Sequence, residues 1–473
     1  MYNIIALTDR FRIKLIKERK IAMKKILAMT VALCMSCLVF AGCGDGSSSE
    51  DPKSKAETAS SGTAAEGEDT PEESAAQGEE QGGTEDDSPS AKLLAEYPVN
   101  DGAYDVSQGA TENMLARAVL NKGDTSRLAE KIDHALNNPK ETTKICFLGD
   151  SITAGSGANS STNQYVNQVK TWWEENISFY VDVTNAGIGA TDSYAGVHRA
   201  QRDCVSLGAD IIVIEFINDL DDDFYASCMD SLVRMCLAQE NNPAVIILEP
   251  SCEGGSSPQN AHLKVAQGYN IPMISYHDAV IPEIDAGNFT WADVSPDNVH
   301  PNDAGHIIMA QCITDMWGKI KDNIANEEKV STPFDAATEA PAGNPFENAS
   351  LGGRDTPDTV KTVDEGTFTE EASFQKFTGG WGTKEGGSAT FEITAKNIGM
   401  LYMKVTSGEQ GTLAVTVDDG DPVLIDGNFP NGWGNYAKAD PIFTSDETAT
   451  HTVKVEVVEG DAQAFQILNW LIS

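Results

Sequence analysis

Five short, uninterrupted apolar runs, at 144–148, 180–184, 210–216, 244–249 and 271–275, are separated by segments of helical periodicity at 163–176, 194–207, 224–239, 259–268 and 304–324. Strands covered on both faces read as continuous apolar runs, because neither face can be polar. Strand–helix–strand repetition at this spacing requires right-handed crossovers, which place helices on both faces of a parallel sheet. The pattern predicts a three-layer α/β/α domain on a parallel five-stranded sheet. Two further helices, at 112–120 and 126–136, lead into it. With them the α/β domain is expected over 93–328.

The pattern changes after residue 328. Residues 329–345 carry Pro333, Pro341 and Pro345 and read as a linker. From 346 to 473, segments at 390–394, 399–405, 412–417, 423–425 and 450–458 alternate apolar and polar residues between Gly, Asp and Asn turns. That period predicts an all-β, jelly-roll-like sandwich, with Asp418-Asp419-Gly420 as a hairpin turn.

The N-terminal 43 residues read as targeting sequence. Met23-Lys24-Lys25, an apolar run to Phe40, and Ala41-Gly42-Cys43 have the charged, apolar and small-residue parts of an export signal. The run is shorter than the ~20 residues that a spanning helix needs. Met23 is the expected start, with residues 1–22 an upstream extension. Phe40-Ala41-Gly42-Cys43 resembles a bacterial lipobox, which implies lipidation of Cys43 and an extracytoplasmic, surface-anchored lipoprotein. Residues 44–92, rich in Ser, Gly, Ala, Thr, Glu and Asp, cannot bury enough surface to offset chain entropy, and a disordered acidic tether is expected there.

The formal net charge of -39 argues against a nucleic-acid partner, since phosphate binding needs a basic surface. None of the nine cysteines has metal-ligand spacing, and no Cys/His cluster is visible, so no metal is expected. Cys34-Met35-Ser36-Cys37 falls in the targeting segment. The six cysteines from Cys146 to Cys312 read as small buried hydrophobes, with a disulfide left open.

Gly149-Asp150-Ser151 follows the first apolar run, so Ser151 is expected at the carboxyl edge of the sheet, where open α/β sheets bind ligands. Alone, the tripeptide is also an ordinary turn. A hydroxyl needs a base to become a nucleophile. Of seven histidines, His300 stands out, in Asp297-Asn298-Val299-His300-Pro301 just before a helix. The three-residue spacing lets the Asp297 carboxylate reach one imidazole nitrogen and leaves the other free for Ser151. His306 is the competitor, but it lies within the following helix. His134, His198, His262, His277 and His451 show no comparable partner in the sequence and read as structural. Acyl transfer also needs oxyanion donors. Asn185-Ala186-Gly187-Ile188-Gly189-Ala190-Thr191 offers backbone N–H groups and Asn218-Asp219 a side-chain amide; each also reads as a tight turn.

These four blocks, in this order, resemble those of the SGNH/GDSL hydrolase family over about Met114 to Ile324. The resemblance implies a flavodoxin-like α/β/α fold, Ser151 as nucleophile and, through its N–H, as an oxyanion donor, with Ala190, Asn218, Asp297 and His300 in the other roles. Two positions depart from the pattern. Ala190 stands where the family's donor glycine falls, and Phe216 replaces the glycine of the third block, which implies a narrower cleft near Asn218. The helical lead-in and the appended β-domain are similar to secreted esterases of acetylated polysaccharides. Trp381, Trp433 and Trp470 are candidates for a sugar platform or for sandwich core.

The function expected is therefore an exported serine esterase, without cofactor, that removes short acyl groups, acetyl first, from polysaccharides or other small esters. It would touch the membrane only through its lipid. A lysophospholipase or thioesterase on the same fold, and a non-catalytic glycan-binding lipoprotein, are the alternatives.

Overall fold

The computed structural model describes residues 86–473, apart from Ser331, Glu459 and Asp461. The expected signal, the expected lipobox Cys43 and nearly all of the expected tether lie outside the described residues. One boundary differs from expectation. A helix over Pro89–Glu96, capped by the Ser88 side chain, begins inside the expected tether, and Ser90 Oγ donates to Asp278 Oδ2 at 2.8 Å.

Five strands, β1 (Thr143–Gly149), β2 (Val181–Gly187), β3 (Ile211–Glu215), β4 (Ala244–Glu249) and β5 (Met273–Ser275), form one parallel sheet in the order β2-β1-β3-β4-β5. Successive side chains on a strand point to opposite faces. Ile145, Phe147, Ile211, Val213, Ile246 and Leu248 accordingly pack on one side with the helices Tyr165–Asn176 and Asp303–Asp322. Cys146, Leu148, Ile212, Ile214, Val245 and Ile247 pack on the other with the helices Ser193–Asp203 and Asp223–Leu237. The strand order reverses direction between β1 and β3, and such a switch point opens a crevice at the carboxyl edge. Ser151 follows β1 into that crevice.

The C-terminal part is a separate antiparallel sheet of β6 (Ser350–Gly352), β7 (Val360–Asp364), β8 (Trp381–Thr383), β9 (Ser388–Lys404), β10 (Thr412–Val417), β11 (Val423–Asp426), β12 (Tyr436–Val457) and β13 (Phe465–Ile472). Sequence segments at 390–394 and 399–405 merge into the long β9, and 450–458 is the end of the longer β12. Both strands change register where they pair, between Pro441 and Phe443 and between Thr444 and Ala449. Asp418-Asp419-Gly420 joins β10 to β11 as a hairpin, with Asp418 at φ 52°. Trp381 and Trp470 are buried against Phe391, as core.

The two domains share apolar packing. Leu401, Ala437, Leu468 and Leu471 of the β-domain belong to the same buried cluster as Tyr194, Val197 and Leu232. The stretch expected as a linker is held down as well. Arg234 donates to Thr338 O at 2.7 Å and lies over the Phe334 ring, and Asp230 accepts from Ala342 N–H at 2.6 Å.

Candidate active site

Ser151 opens a four-residue helix, Ser151–Ala154, immediately after β1. The turn is tight because Gly149 has no side chain: a Cβ there would overlap Thr153 Oγ1 and Glu215 Oε2. Asp150 accepts from Ile152 N–H, Ile217 N–H and the Asn218 amide, each at 2.9 Å, and so ties the serine turn to the end of β3. Burial first, and then the nearby Glu215 charge, push the Asp150 carboxyl well above the usual range.

His300 Nε2 lies 2.9 Å from Ser151 Oγ, and His300 Nδ1 lies 2.8 Å from Asp297 Oδ2. A carboxylate only accepts, so Nδ1 carries the hydrogen. In the neutral ring Nε2 then accepts the serine hydroxyl. Asp297 Oδ1 takes the backbone N–H groups of Val299 and His300 at 2.8 and 2.7 Å. Partial burial would raise the Asp297 carboxyl, but the hydrogen bonds from His300 and Val299 outweigh it and hold the group below its ordinary value. His306, the competitor, faces elsewhere. It is buried, stacked on Tyr165 and bonded to Tyr165 N–H and Ser156 O.

Ala190 has φ 61°, the left-handed conformation that glycine adopts without strain. The glycine-type turn is therefore kept at an alanine. The Asn218 amide hydrogens go to Asp150 Oδ2 at 2.9 Å and Thr191 O at 3.1 Å, which joins the loops after β3 and β2. Phe216 does not narrow the cleft. It is fully buried against Gly196 and under the Arg199 guanidinium, 5.8 Å away.

Sequence reasoning missed Arg199. Its fully buried guanidinium donates to Gly149 O at 2.6 Å and Ala186 O at 2.7 Å, fixing the ends of β1 and β2. It also passed over His262, which has two carboxylate partners rather than none, Glu249 and Asp219. Neither lies at a local spacing from His262, so no sequence pattern marked the contact. His134, His277 and His451 likewise each have a carboxylate neighbour, Glu141, Asp278 and Asp418. The six cysteines from Cys146 to Cys312 are free thiols.

A cleft of about 230 Å³ runs from Ala190, Asp192 and Asn218 to Trp433, Tyr436 and Lys438 of the β-domain. Trp433 is 71% exposed there and packs with Phe429 and Tyr436. Of the three tryptophans considered above, it alone remains available as a platform.

Residues 147–308 match the model of the GDSL-like lipase/acylhydrolase family. A crystal structure of a two-domain esterase (CEX) active on acetylated mannans matches with TM-score 0.67 and 29% identity, over 75% of this chain and 97% of that one. A second, of CEX co-crystallised with mannopentaose, matches with TM-score 0.67 and 30% identity, over 75% and 96%. The chain belongs to the SGNH/GDSL hydrolase family. It is a serine ester hydrolase, and the similarity to CEX spans both of its domains. Comparison with curated proteins gives no match.

Proposed function

We propose that this SGNH hydrolase removes acetyl groups from a polysaccharide through a Ser151–His300–Asp297 triad. The observation that carries the reading is the single imidazole that touches both the Ser151 hydroxyl and the Asp297 carboxylate. His300 takes the serine proton as Ser151 attacks the ester carbonyl, then returns it to the leaving sugar alcohol; Asp297 fixes the tautomer and stabilises the imidazolium. The N–H groups of Ser151 and Ala190 receive the oxyanion, and the Asn218 amide shares a hydrogen between the oxyanion and Thr191 O. Water then hydrolyses the acetyl-serine. The exposed Trp433, at the far end of the cleft, suits a sugar ring, because an aromatic face packs against its C–H surface. The esterase active on acetylated mannans supports the same substrate class for this chain. We propose further that the enzyme is exported and anchored through Cys43, a reading that stands on the sequence.

The test is hydrolysis of aryl acetate, acetylated mannan, acetylated xylan and a long-chain aryl ester, with Ser151→Ala as control. Acetyl release from a polysaccharide that disappears in the variant is expected. Full activity in Ser151→Ala would end the mechanism, and preference for the long chain would end the substrate assignment. For the anchor, Cys43→Ala should abolish incorporation of labelled palmitate in cells.

A further inference from the structure

Behind the cleft lies a row of three side chains that has no role in the chemistry above. Glu249 ends β4, His262 sits on the helix Gln259–Gly268, and Asp219 follows Asn218; all three side chains are 0% exposed. His262 Nδ1 is 2.7 Å from Glu249 Oε2, and His262 Nε2 is 3.0 Å from Asp219 Oδ2. Both acceptors are carboxylates, so both ring nitrogens donate and the ring is an imidazolium. Burial alone would push this imidazole down; the Glu249 and Asp219 charges and hydrogen bonds reverse that and raise it to about 10. The Ser257 hydroxyl secures the outer end by donating to Glu249.

The inner end reaches the candidate active site. Asp219 Oδ1 accepts from Ser193 N–H at 2.7 Å, at the start of the helix that follows the Ala190 loop. Its neighbour Asn218 donates to Thr191 O in that same loop. Residues 218 and 219 thus stitch the loop after β3 to the loop after β2 at two adjacent points. An apolar trio of equal volume would fill this space about as stably. It could not accept the Ser193 N–H, and the start of that helix would lose its tie to the loop after β3.

We propose that the buried Glu249–His262–Asp219 row is a positioning device that aims the two oxyanion loops at Ser151. The proposal rests on the reading of Ala190 and Asn218 as oxyanion donors. His262 and Glu249 are positioning residues that act through Asp219.

The experiment uses the full chain with His262→Gln, Glu249→Gln, Asn218→Ala and the double variant His262→Gln/Asn218→Ala. Reactive sites are counted by titration with an organophosphate, and kcat and KM are measured on an aryl acetate. For His262→Gln, kcat per titrated site is expected to fall ~10–100-fold, as misplaced groups do, with KM held within about two-fold. The losses from His262→Gln and Asn218→Ala should be less than multiplicative, because both act on one loop pair. Glu249→Gln keeps the shape of the row and carries the test should His262→Gln fail to fold. A purely structural role would lower Tm and leave kcat per titrated site unchanged, and that result overturns the proposal, as do fully multiplicative losses. If Asn218→Ala alone leaves kcat intact while Ser151→Ala abolishes activity, the oxyanion reading fails and this proposal falls with it. If Asn218→Ala costs ~10²–10³-fold and His262→Gln costs nothing, the positioning role alone falls.

Discussion

His300 and His262 are both bound to carboxylates, yet their surroundings make opposite devices of them. His300 has one carboxylate, on Nδ1, and a hydroxyl on Nε2, with its side chain 29% exposed. His262 has a carboxylate on each nitrogen and no exposure. The first ring has a lone pair to offer and is open to solvent. The second keeps both hydrogens, donates one to each carboxylate and serves as a fixed positive charge. His198 completes the series: buried, with Nδ1 on Tyr194 O, Nε2 without a protein partner, and no carboxylate at all. Burial holds it neutral and lowers its pKa to about 4. The number of carboxylates a histidine meets, and its access to water, decide whether it moves protons, anchors charge or behaves as an aromatic filler.

The largest effect that would test this contrast is on rate. His300→Ala should reduce kcat by at least ~10³-fold while Tm stays close to that of the parent, as measured by steady-state kinetics and calorimetry. At the buried row a loss of stability accompanies the smaller loss of rate. Asp219→Ala leaves the His262 charge half-paired in the interior and should cost about 3–5 kcal/mol in denaturant unfolding.

His198 sharpens the comparison through pH. Its folded pKa lies below that of the unfolded chain, so the unfolded state takes up the proton first. Its contribution is complete above about 6.5 and is lost as pH falls toward about 4. Unfolding free energy should therefore drop by roughly 2–3 kcal/mol across that window on its account. His198→Phe, packed between Tyr194 and Phe346, should flatten that part of the pH profile. An unchanged slope would show that another group carries it. The smallest effect is expected at Ala190. Glycine relieves the left-handed strain but adds entropy to the unfolded chain, so Ala190→Gly should shift stability by less than about 1 kcal/mol. It should also leave kcat within a few-fold (roughly, by the same N–H argument), whereas Ala190→Val should lose both.

The contrast also explains what could be read from the chain in advance. The sheet was legible because strands buried on both faces cannot interrupt their apolar runs; 244–249 and 259–268 fall on the observed elements residue for residue. The contacts of His300 with Asp297 and Ser151 were legible because a local three-residue spacing and an edge-of-strand turn each leave a pattern. His262 left none, since its partners stand 43 and 13 residues away. The helix Tyr276–Asp285 was hidden by Pro282 within it, and the first half of β12 by its polar, partly exposed alternation. Phe216 was misjudged because a missing glycine says nothing about which way the larger ring turns.

The apolar cluster that joins the two domains has a consequence for how this enzyme can be taken apart. Tyr194, His198 and Phe224 make ring contacts with Phe346, and Lys376 at a turn of the β-domain donates to Asn185 O and Gly187 O at the end of β2. A chain cut at 345 would present that face to water, and the strand end beside Ser151 would lose its outside tie. The β-domain is therefore not a detachable cargo module. Grafted onto another hydrolase it would lack its seat, and the hydrolase left behind would be a sticky, slackened catalyst rather than a smaller one.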